Sequence, residues 1–135
     1  MRIFNYQFLH FIVNFNSLIQ QPWVRRGVVG GLAACDKNVF YCKDGLIPRK
    51  CILTSKSIRT HILPNFCFRD LVAVRIDGKG YTNITFVVCS ANFPYDTQTL
   101  PPTEELQELV NYCKIQDWPL IVGCDANAHH TLWGS

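Results

Sequence analysis

Charged residues and sequence repeats are both scarce in this chain. Only 17% of the 135 residues are charged, and the sequence contains no internal repeat, low-complexity stretch or linker. A hydrophobic content of 48% is typical of a chain that forms a core, and it excludes an intrinsically disordered protein. The length allows one domain at most.

The excess of positive charge is also small. A net charge of +3 does not indicate nucleic-acid binding by itself. Basic residues form two mild clusters, one at Arg25 and Arg26, the other at residues 49–50 with Lys56 and Arg59. On charge alone, we interpret both clusters as solvated faces of the protein.

The cysteines lack the spacing of a metal site or a disulfide framework. There are seven, an odd number, and no Cys-x-x-Cys occurs. Cys51, Cys89 and Cys124 stand within apolar strand patterns, where a free cysteine behaves as a small hydrophobic residue. We therefore expect reduced, buried thiols in a nuclear or cytoplasmic protein.

The amino terminus lacks the features of a signal peptide or a membrane span. Residues 1–16 are rich in aromatic residues, but polar side chains interrupt the apolar stretch and no small-x-small cleavage site follows. The stretch is too short and too polar to cross a membrane. We expect a protein that is not secreted, and we treat residues 1–16 as an atypical segment ahead of a domain at 17–135.

Most of the chain is predicted to form strands. The runs are rich in β-branched, aromatic and aliphatic residues and are bounded by Asp, Gly and Pro. The sequence Asp77-Gly78-Lys79-Gly80 predicts a hairpin turn between two of them. The predicted strands are Ser17–Gln20, Val39–Cys42, Lys50–Thr54, Leu71–Ile76, Ile84–Ala91 and Leu120–Cys124.

One helix is clearly predicted, at Glu104–Lys114. Thr103 can cap it, and the acidic residues of its first turn favour the positive end of the helix dipole. Apolar residues then form a single stripe from Leu106 to Cys113. Many antiparallel strands, one crossover helix and a final core strand predict an α/β fold (α+β) in which two sheets pack as a sandwich.

The residues after the last predicted strand are suited to chemistry. Asp125 and Asn127 are two positions apart, so in an extended chain both side chains would point to the same side. A carboxylate can hold a metal-bound water or take its proton, and an amide can bind an oxyanion or orient the carboxylate. The alternative is an Asp-Ala-Asn turn that hydrogen-bonds its own backbone.

The whole run Cys124-Asp-Ala-Asn-Ala-His-His-Thr-Leu-Trp-Gly-Ser135 carries a more specific signal. It resembles the core motif of the endonuclease/exonuclease/phosphatase family, above all the apurinic-type endonuclease domains of jockey-like non-long-terminal-repeat (non-LTR) retrotransposons. Other segments resemble the same family in the same order, from about Ser17 onward. They are Leu18-Ile-Gln-Gln-Pro-Trp23, Cys51-Ile-Leu-Thr-Ser55, Leu63-Pro-Asn-Phe66, Arg69-Asp-Leu-Val-Ala-Val74 and Cys89-Ser-Ala-Asn-Phe-Pro-Tyr-Asp96.

The resemblance implies a two-sheet α/β sandwich that is incomplete, with amino- and carboxyl-terminal parts missing. It also implies Mg²⁺ or Mn²⁺ as cofactor, with Asp125 and Asn127 as catalytic residues. The family's metal-binding Glu corresponds to Gln21, whose amide would weaken metal binding, and the family's Tyr corresponds to Asn92. A Ser-Asp pair and a His near the family's carboxyl end have no counterpart before Ser135.

Several further residues are candidates with simpler alternatives. His129, His130, Asn92 and Trp23 are possible phosphate or DNA contacts, although a structural hydrogen bond or packing would also explain them. We interpret Trp133 as a core residue, and Arg69 with Asp70 as a structural pair.

The resemblance implies a metal-dependent DNA endonuclease domain of a non-LTR retrotransposon, which nicks target DNA and is joined to a reverse transcriptase domain in the parent polyprotein. The alternatives are a catalytically inactive, degenerate fragment of that domain, or a phosphatase of the same family. No membrane partner is expected.

Overall fold

The structure of the chain is a computed structural model. It describes residues 18–20, 24–26, 28–29, 36–43, 47–78, 83–93 and 102–125. These residues form nine strands and one helix. The strands are β1 (Leu18–Gln20), β2 (Val24–Arg25), β3 (Val28–Val29), β4 (Lys37–Phe40), β5 (Lys50–Ser55), β6 (Arg59–Cys67), β7 (Leu71–Asp77), β8 (Thr85–Asn92) and β9 (Leu120–Asp125), and the helix α1 (Glu104–Gln116) lies between β8 and β9.

The strands form two principal sheets. The first has the order β1-β5-β4, with both neighbours antiparallel to the central β5. The second has the order β6-β7-β8-β9. Its first three strands are antiparallel, but β9 pairs in parallel with β8 because α1 carries the chain back between them. The short strands β2 and β3 pair with each other.

Two apolar layers hold these elements together. Between the sheets, Ile52 of β5 packs in one cluster with the inward-facing residues of β7 and β8. On the other face of the second sheet, β7 and β8 pack against α1 through Leu106, Leu109 and Cys113. This is the two-sheet α/β sandwich predicted from the sequence, with the helix as an outer layer.

Helix α1 begins and ends where its terminal residues satisfy backbone groups. The Thr103 hydroxyl accepts a hydrogen bond from the Leu106 N–H at 3.4 Å. At the other end Asp117 takes a left-handed conformation with φ of 56°, which lets its N–H reach the carbonyls of Cys113 and Lys114. The predicted helix is confirmed and extends two residues beyond the predicted end at Lys114.

Most predicted strands are confirmed, with shifts at their ends. The strands β5, β7, β8 and β9 differ from their predicted ranges by a residue at one or both ends. The predicted strand at Val39–Cys42 lies instead at Lys37–Phe40, because pairing with β5 sets its register from Lys37 opposite Ser55 to Phe40 opposite Ile52. In the predicted hairpin, β7 ends at Asp77 and β8 begins at Thr85, and residues 79–82 lie outside the described part of the chain.

Strand β6 was not predicted. It is the longest described strand, yet its side chains are mostly exposed or half-buried and it contains Pro64. Such a sequence lacks the apolar alternation of a core strand. Proline is tolerated here because β6 ends the β6-β7-β8-β9 order, so one side of its backbone pairs with no strand of that sheet.

The six cysteines within the described residues are all free thiols, and four of them are buried. Burial raises the pKa of Cys89 to about 12, with smaller contributions from Cys113 and Cys124, and the pKa of Cys51 to about 11. The expectation that Cys124 is buried is wrong. Leu120 packs against the layer under α1, but Val122 and Cys124, further along the same face of β9, are exposed.

Candidate functional site at one end of the sandwich

Five strands of both sheets meet at one end of the sandwich. The last residue of β1, Gln20, pairs with the first residue of β5, Lys50. In the second sheet, β8 and β9 end side by side with Asn92 opposite Asp125. Strand β7 begins there, with Asp70 just before it. We call this end, marked by Gln20, Lys50, Asp70, Asn92 and Asp125, the site end.

The two sheets are joined directly at the site end. The Arg49 N–H, just before β5, donates to the Arg69 carbonyl, just before β7, at 3.1 Å. This backbone bond crosses from one sheet to the other. It fixes the start of β5 beside the start of β7, so residues 49–50 and 69–70 form one structural unit.

Asp70 organises the polar side chains of this unit. Its Oδ1 accepts from Asn92 Nδ2 at 3.4 Å and from Arg49 Nη1 at 3.5 Å. The Asp70 carbonyl also accepts from the Asn92 N–H at 2.8 Å. Asn92 is held at two points and is only 4% exposed, whereas the side chains of Arg49 and Asp70 remain more than a third exposed.

The ion partner of Asp70 differs from the predicted one. The sequence suggested a pair between Arg69 and its neighbour Asp70, but the described ion pair joins Asp70 to Arg49. This contact spans 21 residues and depends on the packing of the two sheets. In the sequence, Arg49 is only a basic residue at the start of a strand, so the sequence did not identify it as the partner of Asp70.

Lys50 is completely buried at the site end. It shares one face of β5 with Ile52 and Thr54, and Ile52 packs against the second sheet. Lys50 therefore lies on the inner face of the central strand of its sheet. The interpretation of this basic cluster as a solvated face is wrong for Lys50, because burial on a strand is set by which face meets the other sheet.

The predicted site residues are only partly within the described residues. Asp125 ends β9, in register with Asn92. Four positions earlier on β9, Ile121 packs against the layer between the sheets. The remaining predicted positions lie outside the described residues: Gln21, Trp23, Asn127, His129, His130 and Trp133. Their roles stay predictions.

The groups described at the site end do not by themselves form a divalent-cation site. Mg²⁺ and Mn²⁺ are bound by carboxylate oxygens. The Asp70 carboxylate already accepts from Arg49 and Asn92. Within the described residues, no three His, Cys, Asp or Glu side chains are grouped as a metal site would need.

A second concave surface lies to one side of this end. An open groove of about 480 Å³ runs between β4 and β6, lined by Phe40, Tyr41, Lys43, Pro64 and Cys67 among others. The Lys43 ammonium lies 5.5 Å from the centre of the Tyr41 ring. None of the residues that mark the site end lines this groove, so it is a separate feature of the surface.

Comparison with solved structures finds a similar domain. The chain is similar to the solved endonuclease domain of TRAS1, a telomere-specific non-LTR retrotransposon, with 27% sequence identity and a TM-score of 0.57. The match covers 87% of this chain and 49% of that domain, so the chain spans about half of its length. No family model and no curated protein matches the sequence.

This similarity confirms the resemblance and the fold class predicted from the sequence. It supports a nuclease-like domain. Of the helices in the described part of the chain, none is long and apolar enough to span a membrane.

Proposed function

We propose that this chain carries the site of a DNA endonuclease of a non-LTR retrotransposon, acting on the phosphodiester backbone. One observation carries the proposal: the parallel pairing of β8 with β9 sets Asn92 beside Asp125, at the end of the sandwich where β1 ends at Gln20. The similarity to a retrotransposon endonuclease domain supports the same lineage. The parent protein would also carry a reverse transcriptase, and it would act in the nucleus or cytoplasm.

The chemistry follows from the charge of the substrate. A phosphodiester is an anion, and hydrolysis places further negative charge on its non-bridging and leaving oxygens. In our proposal Asp125 orients or deprotonates the attacking water, and Asn127 donates to the phosphate. His129, His130, Asn92 and Trp23 are candidates for further phosphate or DNA contacts. A divalent ion, when bound, would neutralise charge on the phosphate.

Two features favour binding without turnover in the chain as it stands. The position of the family's metal-binding Glu is Gln21, whose amide oxygen lacks a full negative charge. Asn92 occupies the position of the family's Tyr, and its amide is tied to Asp70. We therefore propose that this chain binds DNA and hydrolyses it too slowly to detect.

A plasmid-nicking assay tests the absence of turnover. The purified chain should show no appreciable nicking of supercoiled plasmid with Mg²⁺, because residues of a catalytic unit act together and losing one removes most of the rate. The single change Gln21→Glu should tighten Mg²⁺ binding without restoring cleavage. Nicking by the unchanged chain that resists chelator and survives Asp125→Ala would contradict both the mechanism and the inactive state.

A fusion tests the lineage. The chain, with Gln21→Glu and Asn92→Tyr, would be joined to the part of the TRAS1 endonuclease domain that it does not cover. We expect DNA binding by fluorescence anisotropy and Mg²⁺-dependent nicking that Asp125→Ala abolishes. A folded fusion that neither binds nor nicks DNA would refute the proposed function.

A further inference from the structure

Arg49 carries an exposed positive charge at the site end. Its side chain is 37% exposed, and its contact with Asp70 is made through one nitrogen, Nη1, at 3.5 Å from Asp70 Oδ1. A guanidinium has five N–H donors arranged in a planar fork. Within the described part of the chain, the remaining donors of Arg49 meet no acceptor, so the group can bind a further anion without giving up its present contact.

The backbone around Arg49 is held firmly in place. Its N–H donates to the Arg69 carbonyl of the second sheet at 3.1 Å. Its neighbours in the chain, Pro48 and Lys50, are both buried. The Asp70 carboxylate then holds the guanidinium itself from one side. A side chain that is already oriented loses less conformational entropy when it binds a ligand, so Arg49 is prepared for binding.

The surface of this unit carries more positive than negative charge. Its exposed or half-buried charged residues are Arg49, Arg69 and Asp70. Asp70 divides one oxygen, Oδ1, between Arg49 and Asn92. The Nε of Arg69 is buried and has no hydrogen-bond acceptor among the described residues, and none of their ion pairs includes Arg69. Two arginines beside one shared carboxylate are complementary to an anion.

We propose that Arg49 is a phosphate-contact residue of the site end, which donates to a phosphate of the DNA backbone, and that Arg69 adds positive charge beside it. The identity of the anion rests on the proposed function. A guanidinium binds two oxygens of one phosphate through parallel hydrogen bonds. Because Arg49 and Asn92 share the same Asp70 oxygen, this phosphate lies beside the ends of β8 and β9, where the proposed chemistry takes place.

The salt dependence of DNA binding tests this contact. Each phosphate contact adds about 0.9 to the slope of log K against log salt concentration, so Arg49→Ala should reduce the slope by about 0.9 and weaken binding roughly tenfold at about 50 mM salt. Arg49→Lys keeps the charge but not the planar fork, so it should keep the slope and lose part of the affinity. Fluorescence anisotropy with a short labelled duplex measures both quantities.

The matched control is Arg59→Ala. Arg59 is also an exposed arginine near the start of a strand, but it pairs with Asp77 at the end of the sandwich opposite the site. Its removal changes the net charge of the chain by the same amount as Arg49→Ala. We therefore expect the slope and the affinity of Arg59→Ala to match those of the unchanged chain.

Chemical modification tests the same contact without any substitution. Phenylglyoxal reacts with exposed arginine side chains, and bound DNA should slow its reaction at Arg49 several-fold while leaving Arg59 unaffected. Peptide mass spectrometry after brief reaction, with and without DNA, gives the two rates. This measurement decides the question even if Arg49→Ala does not fold.

The outcomes separate this proposal from the proposed function. If the unchanged chain binds DNA but Arg49→Ala has the slope of Arg59→Ala, or if DNA protects both arginines equally, the role of Arg49 is overturned and DNA binding stands. If the unchanged chain binds no DNA at low salt, the proposed function fails and this proposal fails with it. A purely structural ion pair with Asp70 would lower the urea midpoint of Arg49→Ala without changing the slope, which would also overturn the proposal.

Discussion

The contact between Asp70 and Asn92 gives a quantitative prediction for the variant Asp70→Ala. The change removes the acceptor of the Asn92 side-chain amide and the partner of Arg49, while the backbone bond from the Asn92 N–H to residue 70 remains. A hydrogen bond to a charged group contributes about 1.5–3 kcal/mol. The distance of 3.4 Å is long, which favours the lower end of this range.

The ion pair contributes less than the hydrogen bond. Both side chains are more than a third exposed and lie 3.5 Å apart, so solvent screens their attraction to roughly 0.5 kcal/mol. The two contributions together predict a loss of about 2 kcal/mol in the free energy of unfolding. With a urea dependence of about 1 kcal/mol per molar, the midpoint should fall by roughly 2 M.

Urea unfolding followed by tryptophan fluorescence measures this shift. Asp70→Asn keeps an oxygen acceptor but loses the charge, so its midpoint should lie between those of the unchanged chain and Asp70→Ala. Asp36→Ala is the control, since Asp36 forms an exposed ion pair with Lys56 and should leave the midpoint almost unchanged. If Asp70→Ala shifts the midpoint no more than Asp36→Ala, the role of Asp70 in holding Asn92 is refuted.

Two further predictions concern thiol reactivity and core packing. At pH 8.5 iodoacetamide should modify exposed Cys124 well before Cys89. Burial shields Cys89 and raises its pKa to about 12, which keeps the thiol protonated. Peptide mass spectrometry would show the order of modification, and equal rates would contradict the burial of Cys89. In α1, Leu109→Ala should lower the free energy of unfolding by about 2–5 kcal/mol, because it opens a cavity under the helix. Ile115→Ala, at an exposed position, should lower it far less. Urea midpoints would show the difference, and similar losses for both variants would contradict the packing of α1 on the sheet.

Local sequence patterns predicted the elements that form the core. β7 and β8 are almost continuously apolar, and α1 has both a capping residue and a single apolar stripe. β6 was missed because an edge strand with a proline has no such pattern. The burial of Lys50 was also beyond local reasoning, since only the packing of the two sheets decides which face of β5 is inside.

The site was predicted in part for the same reason. The run beginning at Cys124 predicted Asp125 and the resemblance pointed to Asn92, and the structure pairs these two positions, whose roles stay predictions. The contacts of Asp70 with Arg49 and Asn92 join residues more than 20 positions apart, so no short motif contains them. Non-local contacts of this kind become visible only once the strand order is known.

The parallel pairing of β9 has a consequence for the order in which the protein folds. Strands β7 and β8 are neighbours in sequence, so their pairing closes a short loop, whereas Asn92 and Asp125 meet only after the chain has passed through α1. Longer loops cost more entropy to close, and non-local pairings form more slowly. We expect β9 to join the sheet late and to open first, which amide hydrogen exchange faster in β9 than in β7 would show and equal protection would contradict. The strand that completes the candidate site, β9, would then also be the least protected strand of its sheet. Local opening of β9 would disrupt the site while the rest of the sandwich stays folded.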